Sequence, residues 1–147
     1  MINYHKGNLL DVKRGVIIHG CNAQGVMGAG VALAVKNKYP GAFDLYQQEC
    51  EENFGSPYFL GSSVVYFVDD DLHIVNMITQ NFCGSGKRQV NYGAIAEGFA
   101  DLNEYYPKNW VFHFPKIGAG LGGGDWEVIS EIIEHLCTQR SLNCWEL

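Results

Sequence analysis

Residues 19–30 read H-G-C-N-A-Q-G-V-M-G-A-G, directly after the apolar Val16-Ile17-Ile18 and directly before V-A-L-A-V-K. A strand leaving a core through four glycines into a helix sets backbone N–H groups at the strand's carboxyl end, where open α/β sheets hold ligands. A second run of this kind, P-K-I-G-A-G-L-G-G-G-D-W, occupies residues 115–126, again between an apolar strand pattern and a helical one. One glycine loop is usually only a tight turn. Two at equivalent places, far apart in sequence, can clasp a diphosphate between them, because glycines let the backbone approach an anion and turn successive N–H groups toward it.

Outward from these loops, strands and helices alternate. Strands are expected at residues 2–5, 15–20, 63–68, 72–79, 110–114 and 143–147. The third and fourth flank the acidic turn Asp69-Asp70-Asp71. Helices are expected at residues 29–38, 42–53, 91–106 and 126–139. The first is stopped by Tyr39-Pro40-Gly41, because a proline pushes the residue before it out of helical geometry. Ile95, Phe99 and Leu102 form one apolar stripe, and Ile129, Ile132, Ile133 and Leu136 another. Neither repeats nor low-complexity linkers interrupt the pattern. The order implies a single α/β domain over residues 1–147, with helices on both faces of a mixed, mostly parallel sheet.

The composition sets the outer limits. A chain of 147 residues that is 47% hydrophobic can build one two- or three-layer core, and no apolar run approaches the roughly 18 residues of a membrane span. A net charge of −6 argues against non-specific nucleic-acid binding, which needs a basic footprint, yet leaves room for local anion binding by backbone N–H groups. Five cysteines, an odd number without C-x-x-C spacing, read as buried free thiols in a reducing compartment. No charged-then-apolar signal segment opens the chain, so a cytoplasmic location is expected, with no membrane partner.

Several familiar motifs fail on inspection. F-C-G-S-G-K-R-Q resembles part of a P-loop, but Asn81 stands at the first glycine and Arg88 at the hydroxyl residue. A dinucleotide fingerprint can be laid on residues 118–123, but it lies too late in the chain for the βαβ start that motif requires. No two histidines have metal-ligand spacing, so neither a metal nor a cofactor is expected.

Taken together, Y-H-K-G-N-L-L, I-I-H-G-C-N-A-Q-G-V-M-G-A-G-V-A, P-K-I-G-A-G-L-G-G-G-D-W and the closing C-W-E-L resemble a macrodomain, the ADP-ribose-binding module, over essentially the whole chain. The likeness is greatest to the yeast-type ADP-ribose 1''-phosphate phosphatases and their phage relatives. It implies a three-layer α/β/α fold, and a monomer that binds ADP-ribose derivatives and hydrolyses the phosphate of ADP-ribose 1''-phosphate. Nucleic acid enters only as a possible ADP-ribosylated substrate. The alternatives are a de-ADP-ribosylating or deacylating hydrolase, and a reader without catalysis. One hydrolase branch uses a lysine just past the strand I-V-N-M-I-T and a partner aspartate; Gln80 and Gly122 stand there instead.

The resemblance also implies site residues. Asn8, with Leu9 beside it, would meet the adenine, its amide oxygen standing in for a more usual aspartate. Gly20, Gly25, Met27, Gly28, Ala29, Gly30 and Val31 would wrap the distal ribose and diphosphate from the first loop. Lys116, Ile117, Gly118, Ala119, Gly120, Leu121 and Gly122 would do so from the second. Catalysis would draw on three residues. His19 would act as acid, base or phosphate-binding cation, against the bland reading of a strand-end histidine satisfied by backbone. Asn22 would hold the distal ribose, against that of a turn asparagine bonding its own loop. Asp125 would be a base for water, against that of a helix N-cap. Lys87 and Arg88 are further cations for a terminal phosphate, and Phe82, Tyr92 and Trp145 are candidates to stack on adenine.

Overall fold

The computed structural model describes residues 1–83, 88–120 and 122–147; Lys87 and Leu121 therefore lie outside the described residues. Six strands, β1 (Ile2–Lys6), β2 (Gly15–Asn22), β3 (Ser63–Phe67), β4 (Leu72–Gln80), β5 (Phe112–Phe114) and β6 (Leu142–Glu146), form one sheet in the order β1-β6-β5-β2-β4-β3. All pairs are parallel except β3 with β4. Four helices, α1 (Gly30–Lys38), α2 (Pro40–Glu52), α3 (Tyr92–Tyr105) and α4 (Trp126–Leu136), cover the sheet. The mixed sheet and the macrodomain-like layering are as expected. The boundaries move by a few residues, and a short 3-10 turn at Leu9–Asp11 adds an element that its three residues could not announce.

β2 and β4 are buried on both faces, which is why they read as continuous apolar runs rather than alternating ones. Val16 and Ile18 of β2 point into a core with Ile95, Phe99 and Leu102 of α3 and Ile129 and Ile133 of α4. Ile17 and Cys21 point the other way, toward Val35 of α1 and Tyr46 and Cys50 of α2. Burying a side chain such as Ile18 or Phe99 is worth about 1.5–3 kcal/mol, so the two stripes read from sequence hold the outer layers on. Arg140 fastens the opposite end of the molecule. Its guanidinium donates to the carbonyls of Asn103, Tyr106, Pro107 and Trp110 and lies over the Phe112 ring.

The topology then selects a place for a ligand. From β2 the chain leaves toward β3 by way of α1 and α2, while from β5 it leaves in the opposite direction to β6 by way of α4. β2 and β5 are neighbours, so a crevice opens between the loops that follow them, at a switch point of the sheet.

Candidate functional site

A cavity of about 570 Å³ occupies that crevice. Its floor is the carboxyl end of β2, from His19 to Asn22, and of β4, at Thr79 and Gln80. Its walls are the start of α1, from Gly28 to Ala32, and the second glycine loop, at Gly118, Gly120 and Gly122. Both loops quoted from sequence thus face one space.

The start of α1 supplies the electrostatics. Its N-cap is Ala29, which has no side chain able to bond the first turn. The leading N–H groups of a helix have no partners within the helix, and the aligned peptide dipoles add partial positive charge there. An uncapped helix start opening on a cavity is an anion site made of backbone. The second loop doubles back on itself: Gly124 N–H donates to Gly118 O at 2.7 Å, while Gly122 O accepts from Gln89 and Val90. Gly118 has φ +73°, and a Cβ there would lie 2.7 Å from a methyl of Val90, so the turn admits only glycine. Among the described lining residues the titratable side chains are His19, Cys21, Cys83 and Lys116; none is a carboxylate.

His19 is buried, and its Nε2 lies 2.7 Å from Oδ1 of Asn76. The Asn76 amide nitrogen donates to the Ala42 and Val64 carbonyls, so Oδ1 is the accepting end and His19 carries its proton on Nε2. Burial lowers the imidazole to about pKa 4, against the smaller opposing effect of the Asn76 bond. The expectation of a phosphate-binding cation is corrected on this ground: His19 meets the cavity as a neutral ring, with Nδ1 as its lone-pair nitrogen.

Asn22 also lines the cavity, but its side chain is largely engaged. Oδ1 accepts from Gln24 N–H at 2.9 Å and from the Tyr46 hydroxyl at 2.9 Å, and Nδ2 donates to Val26 O at 2.9 Å. The amide braces the first loop, which leaves one Nδ2 hydrogen for a ligand. Asp125 is corrected outright. It is exposed, lies outside the cavity lining, and caps α4 through Oδ1 to Glu127 N–H at 2.9 Å.

The remaining expected contacts divide. Gly20, Gly28, Ala29, Gly30, Val31, Lys116, Gly118, Gly120 and Gly122 line the cavity. Asn8 and Leu9 do not. The Asn8 oxygen caps the short 3-10 turn by accepting from Leu10 N–H, and Leu9 is core beside Ile17. Gly25 makes its turn against Cys50 and Gln47, Met27 packs with Tyr46 and Phe59, and Ile117 lies beneath Gly20; these three shape the loops from behind. Ala119 closes a turn onto the Lys116 carbonyl outside the lining. Lys116 itself is paired with Glu146 at 3.0 Å. Trp145 is stacked on His5 at 4.5 Å and donates to His113, so it is already occupied.

Sequence reasoning passed over Thr79 and Cys21. Both line the cavity, and the buried Thr79 hydroxyl has no hydrogen-bond partner among the described residues. The one available signal was their position, at the last residues of buried strands that end under the glycine loops.

The comparisons agree with this geometry. The family model described as Macro domain matches residues 18–133. The chain is 29% identical to an ADP-ribose 1''-phosphate phosphatase of Candida glabrata, over 99% of this chain and 98% of that one. It is also 29% identical to a DNA ADP-ribosyl glycohydrolase of Mycobacterium tuberculosis, over 89% of this chain but only 37% of that protein. A macrodomain protein structure from Streptomyces coelicolor superposes with a TM-score of 0.81 at 25% identity, covering 100% of this chain and 99% of that one. With both glycine loops facing one crevice at the switch point of this sheet, and with a family match over most of its length, the chain belongs to the macrodomain family.

Proposed function

We propose that the chain binds ADP-ribose derivatives in the cavity between its glycine loops and hydrolyses ADP-ribose 1''-phosphate to ADP-ribose and inorganic phosphate. The observation that carries the binding half is the uncapped start of α1 facing Gly118, Gly120 and Gly122 across the cavity. Such a pair of walls neutralises a diphosphate with backbone N–H groups and needs no lysine. The relatives named as phosphatases, similar along almost their whole length, support the reaction. In it, water adds to the terminal phosphorus and the P–O bond to the distal ribose breaks. His19 is the one imidazole among the described residues lining the cavity, its Nδ1 3.8 Å from the Cys21 thiol, and the free Nδ2 hydrogen of Asn22 is placed to hold a ribose hydroxyl. Four buried free thiols fit work in a reducing, cytoplasmic compartment, and the protein is proposed to act as a monomer.

Phosphate release from ADP-ribose 1''-phosphate, measured beside titration calorimetry with ADP-ribose, tests both halves. Binding with turnover is the expected result. Binding without turnover makes the chain a reader, and absence of heat at high micromolar ADP-ribose removes the whole proposal. A second reading, cleavage of ADP-ribose from a modified acceptor, is favoured by the relatives named DNA ADP-ribosyl glycohydrolase. Release of ADP-ribose from a modified oligonucleotide decides it.

A further inference from the structure

Among the described residues that line the main cavity between the glycine loops, none belongs to α2. One α2 side chain nevertheless reaches the cavity's asparagine. Tyr46 is fully buried among Cys21, Met27, Cys50, Phe59 and Ile78. Its ring is core, and a phenylalanine would fill the same space. Its hydroxyl is aimed elsewhere: it donates to Asn22 O at 2.7 Å and to Asn22 Oδ1 at 2.9 Å, both acceptors on one residue. Burial holds the phenol well above its ordinary range, so it stays a protonated donor.

Asn22 stands at the point where the sheet ladder slips. The β2–β4 register runs residue by residue as far as Cys21 with Ile78, then pairs Asn22 with Gln80. A bulge of this kind re-aims the side chain beside it. The Asn22 Oδ1 accepts from Gln24 N–H at 2.9 Å and Val26 N–H at 3.4 Å as well as from Tyr46, and Nδ2 gives one hydrogen to Val26 O at 2.9 Å. An amide carries its oxygen on one side and its NH2 on the other, so holding the oxygen also sets where the second Nδ2 hydrogen points. The Gln24 and Val26 groups belong to the same loop and move with it. The Tyr46 hydroxyl comes from a helix packed on the sheet, and ties the amide to that frame.

We propose that Tyr46 is a positioning residue for the distal ribose: through Asn22 it fixes the direction of the amide hydrogen that meets the ligand, without touching the ligand itself. This rests on ADP-ribose occupying the main cavity with its distal ribose at Asn22, as proposed above.

The test compares ADP-ribose with ADP, which ends before the distal ribose, by titration calorimetry on wild type, Tyr46→Phe, Asn22→Ala and the double variant. Tyr46→Phe keeps the ring and its packing and removes only the hydroxyl. It is expected to bind ADP-ribose about three- to tenfold more weakly than wild type, the scale of one hydrogen bond, and to bind ADP as wild type does. In the Asn22→Ala background the same substitution is expected to change ADP-ribose affinity no further, because the two residues act as one unit. An equal loss of ADP and ADP-ribose in Tyr46→Phe overturns the assignment, since the hydroxyl would then support the loop as a whole. Additive losses in the double variant overturn it as well. Wild-type affinity for ADP-ribose in Tyr46→Phe, beside weak binding by Asn22→Ala, removes the role of Tyr46 and leaves the reading of Asn22 standing. Unchanged ADP-ribose affinity in Asn22→Ala removes the ribose contact at Asn22, and the role of Tyr46 with it.

Discussion

At the scale of the residue, the histidine and the asparagine of the site have most of their polar atoms already claimed by the fold. His19 holds Asn76, 57 residues away, and Asn22 holds Tyr46, 24 residues away. This is why the functional and the bland readings of each could not be separated in the sequence: the partners that decide between them are remote in the chain. His19 has a measurable consequence. An unfolded chain protonates this imidazole near pH 6.5, whereas the folded protein does so only near pH 4. Between those values the unfolded state binds one more proton, so stability is complete above the window and falls as pH drops through it. The total from His19 is about 3 kcal/mol by linkage. His73 and His113 are also lowered by burial and act in the same direction. Urea midpoints for wild type and His19→Gln from pH 7.5 to 4 should show the variant with a shallower acid slope, by roughly one proton. Parallel slopes would mean that His19 titrates normally and is free to be a cation after all.

At the scale of the element, two helices start beside the second and first glycine loops and are finished differently. α4 is capped by the Asp125 side chain, and α1 has only Ala29. On the proposed reading, the capped start serves stability and the uncapped one serves binding. Asp125→Ala should therefore cost about 1 kcal/mol in chemical denaturation and leave ADP-ribose affinity within about twofold of wild type. Ala29→Asp should do the reverse. The carboxylate caps the first turn and holds or raises the melting temperature, but it occupies the N–H groups a diphosphate would use and repels it, so ADP-ribose should bind at least about tenfold more weakly. A tight-binding Ala29→Asp variant would show that the ligand's anion lies elsewhere. The strands and helices that set up this contrast were legible because β2 and β4 announce burial on both faces, and α3 and α4 announce one apolar stripe each. The loops were legible as glycine runs between them. Which loop residues face the cavity was not, since Gly25 and Ile117 carry the same local signal as Gly28 and Gly118 and differ only in what packs behind them.

At the scale of the whole molecule, the charge of the chain and that of its proposed ligand have the same sign. The net charge is −6, a diphosphate is an anion, and the one cationic side chain among the described residues lining the main cavity, Lys116, is paired with Glu146. A site that held its anion with free lysines would lose affinity as salt screens the attraction. In the proposed binding mode the attraction comes from N–H groups that hydrogen-bond the ligand, too close for mobile ions to screen well, while the repulsion comes from carboxylates spread over the surface, which they screen readily. Raising sodium chloride from 50 to 300 mM shortens the Debye length from roughly 14 Å to about 6 Å and weakens the repulsion more than the attraction. ADP-ribose affinity, followed by calorimetry over that range, should hold within about twofold or strengthen. A fall of tenfold or more would place an exposed cation at the phosphates and shift the weight of binding from the start of α1 to basic side chains. The same titration on Lys116→Ala separates the two mechanisms, with unchanged affinity and salt dependence expected if backbone N–H groups hold the anion.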